Sequence, residues 1–399
     1  MANESPGDLI KGVPTYHRRQ FLHVAGTSAA VVGLGGVDFA AAIDRPVAPD
    51  HKLTVISGAP RERGRQYGQH FKDAIQAFLE TEILKKFARN PPTRDDLLRY
   101  SHQCIAAIEA YSPTIMAELH GIAEGSGLSL DEVVLVTLHE EVGKKGTWPK
   151  VQHCTALAAG PPDTNDGNTY VGQNWDWMRS AYGLSSMLLW KRSEGPSVLA
   201  YSYPGMWIGA GLNSAGIALC WTWGDQRGIQ GPRVGIPSYV LIAQMLYQDT
   251  LQGALDEARR ATHAGWFTFV LADGEGKLAN VEGTPEKLVI ETTRGHLARA
   301  DFGTREITGT PPGESVKYDP KCQRMLDLLA ARKGTLDRPT LQSFFADHFG
   351  PGSGLICVHD ETYDPLSLDS MLFNCTTREA HVQRGPGCSN RWQTFGFVD

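Results

Sequence analysis

The segment Cys154-Thr-Ala-Leu-Ala-Ala-Gly160, followed by Asp163-Thr-Asn-Asp-Gly-Asn168 and Thr169-Tyr-Val-Gly-Gln-Asn-Trp-Asp-Trp177, decides how this chain is read. The two outer runs have strand character, and the Asp, Asn and Gly between them mark a turn. Cys154 opens the first strand. If the peptide bond before such a cysteine is cut, one residue carries both a thiol nucleophile and a free α-amino base. That combination points to a self-cleaving amide hydrolase built around Cys154.

Upstream, Arg18-Arg19-Gln-Phe-Leu22 is a twin-arginine pattern, followed by a soft apolar stretch from Val24 to Val37 and small residues at Asp38-Phe-Ala-Ala-Ala42. A charged start, a short apolar middle and a small-residue end describe a signal peptide over residues 1–42. The paired arginines predict twin-arginine export to a periplasmic or extracellular location. The apolar run is shorter than the ~20 residues a spanning helix needs, so no stable membrane insertion is expected.

Residues 43–399 then form the mature protein, expected as one composite domain. Hydrophobic residues make up 41% of the chain, enough for a large core, and the net charge of −6 with no basic stripe excludes a nucleic-acid partner. The seven cysteines are an odd number. They show no CxxC or Cys/His metal spacing, so neither a metal nor a cofactor is expected. Cys357, Cys375 and Cys388 are expected mainly in the core.

Helical periodicity dominates residues 60–150. It predicts helices over Gln69–Arg89 and Leu97–Tyr111, and from Pro113 to Gly125-Ser-Gly127. The Ser129-Leu-Asp-Glu132 capping box begins another, running to Glu141. Lys144–Lys150 reads as an exposed loop where a chain could be opened. Beyond Cys154, strands are expected at Ser186–Lys191, Val198–Tyr203, Ile217–Trp223, Trp266–Ala272, Ala279–Glu282, Lys287–Thr292, Gly354–His359, Ser370–Cys375 and Ala380–Arg384. Helices are expected at Pro237–Gln248, Leu251–Thr262, Pro320–Arg332 and Arg338–His348. Alternating blocks of helices and strands predict an α+β fold, two packed sheets covered by helices.

Several patches resemble one family. Gly58-Ala-Pro-Arg-Glu-Arg-Gly-Arg-Gln-Tyr-Gly68, Gly121-Ile-Ala-Glu-Gly-Ser-Gly127 with Leu130-Asp-Glu132, Cys154-Thr155 with Gly172-Gln-Asn-Trp-Asp176, Gly211-Leu-Asn-Ser-Ala-Gly-Ile217 and Gly235-Ile-Pro-Ser238 occur in its order. The chain is similar to the isopenicillin-N acyltransferase-like family of N-terminal-nucleophile hydrolases. The resemblance implies a four-layer αββα sandwich, made as a zymogen that cuts itself between His153 and Cys154. Residues 43–153 would then be an alpha chain and 154–399 a catalytic beta chain, staying associated. The new α-amino group, with an ordinary pKa of ~7.7–8.0, suits a general base for the thiol beside it.

By the same resemblance Asp176 is a substrate-binding candidate, a carboxylate for the amine half of the substrate. It reads equally well as a carboxylate satisfied by backbone N–H groups at a strand end. Asn174, two residues back on the same strand face, is expected to brace the site. The family's oxyanion asparagine is replaced: register puts Thr222 there, and either Thr222, a backbone N–H or another side chain must donate. The family's later arginine is also missing, with Val358 in its place and His359 beside it as a substrate-binding candidate. His153 replaces the usual glycine before the cut. Trp175, Trp177, Trp190, Trp207, Trp221 and Trp223, six of nine tryptophans, read as core or as an aromatic pocket. Alternation puts Trp175 and Trp177 in the core.

Three functions remain open: a secreted amidohydrolase acting on a small acyl amide through a Cys154 thioester, an acyltransferase passing that acyl group to an amine, and a non-catalytic binding protein on the same scaffold. Acyl-coenzyme A is cytoplasmic, so export favours water as the acceptor.

Overall fold

Capping and glycine packing set the helical layer. The computed structural model describes residues 49–88, 92–143, 154–224, 233–349, 356–359 and 365–398. The expected signal segment, the Lys144–Lys150 loop and His153 lie outside these. β1 (Leu53–Ile56) leads into α1 (Pro60–His70), α2 (Lys72–Phe78) and α3 (Lys85–Phe87), with a π-helical turn at Leu79–Leu84 between the last two. Then come α4 (Arg94–Tyr111), α5 (Pro113–Ser126), α6 (Leu130–Thr137) and α7 (His139–Gly143). The side chains of Thr93, Ser112 and Ser129 accept from N–H groups in the first turns of α4, α5 and α6, donors that have no partner inside the helix. The helix expected at Gln69–Arg89 is instead interrupted at Phe71 and by the π turn, and the helix from Ser129 stops at Leu138 before α7.

The two glycine motifs meet along α1 and α5. A Cβ on Gly64 would sit 2.0 Å from the Glu118 carbonyl oxygen, and one on Gly121 2.0 Å from that of Arg61. Gly68 and Gly125 also face backbone closely, at 2.6 and 2.3 Å. The seam brings Arg63 to the buried Glu118 carboxylate at 2.7 Å, where Tyr247 and Trp190 also donate. Gly121→Ala is therefore expected to destabilise by about 1–3 kcal/mol through overpacking, although alanine is the better helix former by about 1 kcal/mol. Denaturant unfolding checks this; a variant as stable as the parent would show that the helices can separate freely.

The remaining elements are β2 (Thr155–Ala159), β3 (Tyr170–Met178), β4 (Ser186–Trp190), β5 (Val198–Tyr203), β6 (Met206–Asn213) and β7 (Ala218–Thr222). After α8 (Ser238–Leu246) and α9 (Leu251–Arg260) come β8 (Phe267–Ala272), β9 (Leu278–Gly283), β10 (Leu288–Thr293) and β11 (His296–Arg299). α10 (Arg305–Thr308), α11 (Pro320–Ala331), α12 (Arg338–Phe344), β12 (Pro365–Asn374), β13 (Glu379–Arg384) and β14 (Gln393–Gly396) complete the chain. One sheet runs β1-β4-β5-β6-β7-β8-β9-β10 and the other β11-β2-β3-β12-β13-β14. The sheets face each other through β2 and β3 against β7 and β8. α8 lies on the first sheet and α5 is joined to it by the Trp190 to Glu118 hydrogen bond, while α11 and α12 lie outside the second. The fold is the expected α+β arrangement in αββα layers.

Strand alternation sorts the second sheet. Ala156, Ala158, Val171, Trp175 and Trp177 point into the core between the sheets, whereas Leu157, Ala159 and Tyr170 pack with Leu329, Leu341 and Phe345. A buried clasp joins the sheets: Asp369 on β12 accepts from Tyr201 at 2.6 Å, Ser185 at 2.8 Å and His51 Nε2 at 2.7 Å. Arg384 donates to His51 Nδ1 at 3.0 Å, which leaves the proton on Nε2 for Asp369. Strands β1, β6, β11 and β14 were not expected. The glycines of β6 hide its character; a Cβ on Gly211 would lie 2.7 Å from the Leu199 carbonyl oxygen of the adjacent strand. The strand expected at Gly354–His359 is corrected, since residues 356–359 are irregular. Cys357 and Cys375 are buried as expected, but Cys388 is exposed in the turn Gly387–Ser389.

Candidate active site

Cys154 stands immediately before β2, half-buried at the rim of the core between the sheets. Its Sγ lies 3.7 Å from the backbone carbonyl oxygen of Asp176 on β3. Thr155 is in register with Asn174, so alternation sends the Cys154 side chain to the face of Gln173, Trp175 and Trp177. Burial, then the negative charge of Asp176, pushes the thiol up to about 12, against smaller opposing effects that include Gln173 and Lys321.

Gln173 is the residue that sequence reasoning passed over. Its Oε1 accepts from the Trp221 backbone N–H at 3.0 Å, tying β3 to β7. Its Nε2 is buried with no hydrogen-bond partner and is close enough to the sulfur to favour the thiolate. Trp221 Nε1 and the Tyr239 hydroxyl are likewise buried and unpartnered. Leaving a buried donor unpaired costs about 1–3 kcal/mol, so a group of three in one aromatic cluster needs an explanation. The available signal was alternation: Gln173 shares the apolar face of Trp175 and Trp177.

Aromatic rings wall this face. Trp175 lies 5.6 Å from Tyr203 and 5.8 Å from Trp221, Trp177 lies 5.1 Å from Tyr203, and Trp221 5.6 Å from Tyr239. Trp175, Trp177 and Trp221 are buried, as core packing requires. The same rings belong to the core cluster that Cys154 packs against.

The other candidates lie elsewhere or are already engaged. The Thr222 hydroxyl donates to the Trp223 carbonyl at 3.1 Å, so its one proton is committed to backbone. Asn174, on the opposite face from Cys154, donates to the carbonyls of Phe345 at 3.0 Å and Ile356 at 2.9 Å and accepts from Ser370 at 2.6 Å. That is the arrangement of a brace. Asp176 is held by Ser367 Oγ at 2.5 Å and by Lys321 Nζ from the first turn of α11. Side chains, not backbone N–H groups, satisfy it. Burial raises its pKa, opposed by Lys321 and then Ser367. Lys321 was also missed, although it sits in line with Met325 and Leu329 on the buried stripe of its helix. His359 is exposed and faces His348, their Nε2 atoms 2.8 Å apart.

Comparison with known proteins agrees with the resemblance over part of the chain. Residues 163–301 match the model of the family described as acyl-coenzyme A:6-aminopenicillanic acid acyl-transferase. That span contains Gln173, Asn174, Asp176 and Thr222 and begins after Cys154. Among solved structures, a variant of the conjugated bile acid hydrolase from Clostridium perfringens is similar at 13% identity and a TM-score of 0.40, covering 61% of this chain and 97% of that one. The penicillin V acylase from Agrobacterium tumefaciens is similar at 12% identity and a TM-score of 0.40, covering 58% and 83%.

Proposed function

We infer that this chain, whose residues 163–301 carry the acyl-transferase family's pattern, is a self-processed cysteine amidohydrolase with Cys154 as its nucleophile. One observation carries the inference: a half-buried thiol at the head of a central strand lies beside the Gln173 amide and the Tyr239 hydroxyl, buried groups with no hydrogen-bond partner among the described residues. A substrate carbonyl or acyl group entering beside the sulfur would satisfy them.

Processing comes first. The Cys154 sulfur adds to the carbonyl carbon of residue 153, the C–N bond breaks, and the thiol proton passes to the departing nitrogen, now the α-amino group of Cys154. Water cleaves the resulting thioester, leaving a carboxylate at residue 153 and a free thiol. A thiol near 12 in the uncut chain is a poor nucleophile at neutral pH. The released amine supplies the missing base on the same residue.

Turnover repeats the chemistry on an external amide. The α-amino group takes the Sγ proton, sulfur attacks the acyl carbon, and the proton leaves with the amine. Water, deprotonated by the same amine, then releases the acid. Gln173 Nε2 is the side-chain donor best placed for the oxyanion, in place of Thr222. The aromatic walls favour an apolar or aromatic group on the substrate. The family description favours acyl transfer as the second reading. The twin-arginine segment favours export and therefore water.

Acid release from a panel of N-acyl amines, with and without a second amine, tests this. Release of acid regardless of acceptor is expected, reduced about 10²–10³-fold in Gln173→Leu, the scale of a lost oxyanion donor. Exchange products formed in place of acid would establish the transferase, and no turnover across the panel would favour a binding protein.

A further inference from the structure

Away from the Cys154 thiol, three separated segments bring four metal-ligating side chains together. His348 follows α12, Cys357 and His359 precede β12, and Cys388 lies in the turn Gly387–Ser389 after β13. Their ligand atoms all lie within 4.8 Å of one another, with Cys357 buried and the other three exposed. Cys388 thus lies beside Cys357 and both imidazoles. Cys357 and His359 are two residues apart, but His348 and Cys388 come from separate segments, so no complete short motif announces the four.

We propose that His348, Cys357, His359 and Cys388 form a structural zinc site. Two thiolates and two imidazoles are a donor set that Zn²⁺ takes tetrahedrally. Bond lengths of about 2.3 Å to sulfur and 2.0–2.1 Å to nitrogen require donor separations of roughly 3.3–3.8 Å, a small adjustment from the cluster as it stands. Four protein ligands close the coordination sphere, the mark of a structural rather than a catalytic zinc.

The surrounding bonds show what the ion would hold. The Cys357 N–H donates to the Asp347 carbonyl at 3.0 Å, and Arg324 grips the Asp347 carboxylate at 2.7 Å. Within the same short stretch, the Ile356 carbonyl accepts from Asn174 at 2.9 Å and the Val358 N–H donates to Ser367 Oγ at 2.9 Å. Ser367 in turn donates to Asp176. A zinc ion would pin the loop that positions Asn174 and Asp176, and Cys154 would not need it for its own chemistry.

Full-length protein purified under reducing conditions without chelators should carry about one zinc per chain by elemental analysis, as a single four-ligand site requires. Cobalt substitution should give the intense visible bands of a tetrahedral thiolate site. Cys388→Ser and His359→Ala alter exposed ligands, and each should lower zinc content at least tenfold. A chelator should lower the melting temperature of the parent and leave that of Cys388→Ser unchanged. Reduced parent protein that takes up neither zinc nor cobalt would overturn the proposal without reference to any variant. So would undiminished zinc in both variants, or a Cys357–Cys388 disulfide in the protein as isolated.

Discussion

Cys154→Ala is expected to yield a single uncut chain that releases no measurable acid from any acyl amide. Both losses follow from one atom. Without Sγ nothing adds to the carbonyl before residue 154, so the α-amino base is never released. Nucleophile and base disappear together, and turnover should fall by about 10⁶-fold, the scale seen when a protease loses its nucleophile. Intact-mass measurement reads the first loss and acid release the second. Cys154→Ser separates the steps, because an alcohol can still add to the carbonyl but ionises far less readily than a thiol; slow, partial cutting is the expected mass spectrum. Burial and the Asp176 charge hold the uncut thiol near 12, so alkylation of uncut chains should be slow at pH 7. It should rise about tenfold per pH unit until that value is approached. Alkylation of processed chains should be fast near pH 8, where the α-amino group titrates. A Cys154→Ala chain that still appears as two fragments would sink the mechanism.

The fold was legible where local chemistry dictates it. Thr93, Ser112 and Ser129 announce helix starts because each satisfies an open N–H of its own first turn. Alternation through Asn174-Trp-Asp-Trp177 placed the tryptophans in the core. The glycine motifs were visible, but not their reason, which is backbone contact between α1 and α5. β6 escaped because Gly209 and Gly211 weaken strand character, a cost accepted where adjacent strands crowd. In the candidate site, Cys154 stands out in the sequence by its position and neighbours. Its partners do not, because they arrive from far along the chain. Lys321 reaches Asp176 from another layer, and the Gln173 amide is oriented only when Trp221 on the facing sheet takes its Oε1. The Thr222 hydroxyl is committed to a neighbouring carbonyl, a fact that register alone cannot give.

Lys321→Met should be the most destabilising of the changes outside the thiol, and its effect should grow with pH. The Lys321 and Asp176 side chains are only 2% and 0% exposed. Removing the cation leaves Asp176 buried with Ser367 as its remaining side-chain partner. Breaking a buried pair from one side typically costs about 3–5 kcal/mol. The sign of the pH dependence follows from the carboxyl. Burial already raises its pKa even with Lys321 present; without Lys321 the acid holds its proton still more tightly. Below the ordinary carboxylate pKa of ~3.9 both folded and unfolded chains are protonated there, and the variant pays no ionisation penalty. As pH rises the unfolded chain ionises while the folded one cannot, so folding loses about 1.4 kcal/mol per unit until the buried acid also ionises. The parent shares this slope up to its own raised Asp176 pKa, so urea unfolding between pH 4 and pH 8, in the uncut Cys154→Ala background to keep one chain, should show the gap from the parent widening above that point. Pairing Lys321→Met with Asp176→Leu removes the stranded acid and should recover much of the loss. A gap that is flat with pH, or undiminished in the double variant, would mean that Lys321 stabilises by packing its stem rather than by holding Asp176.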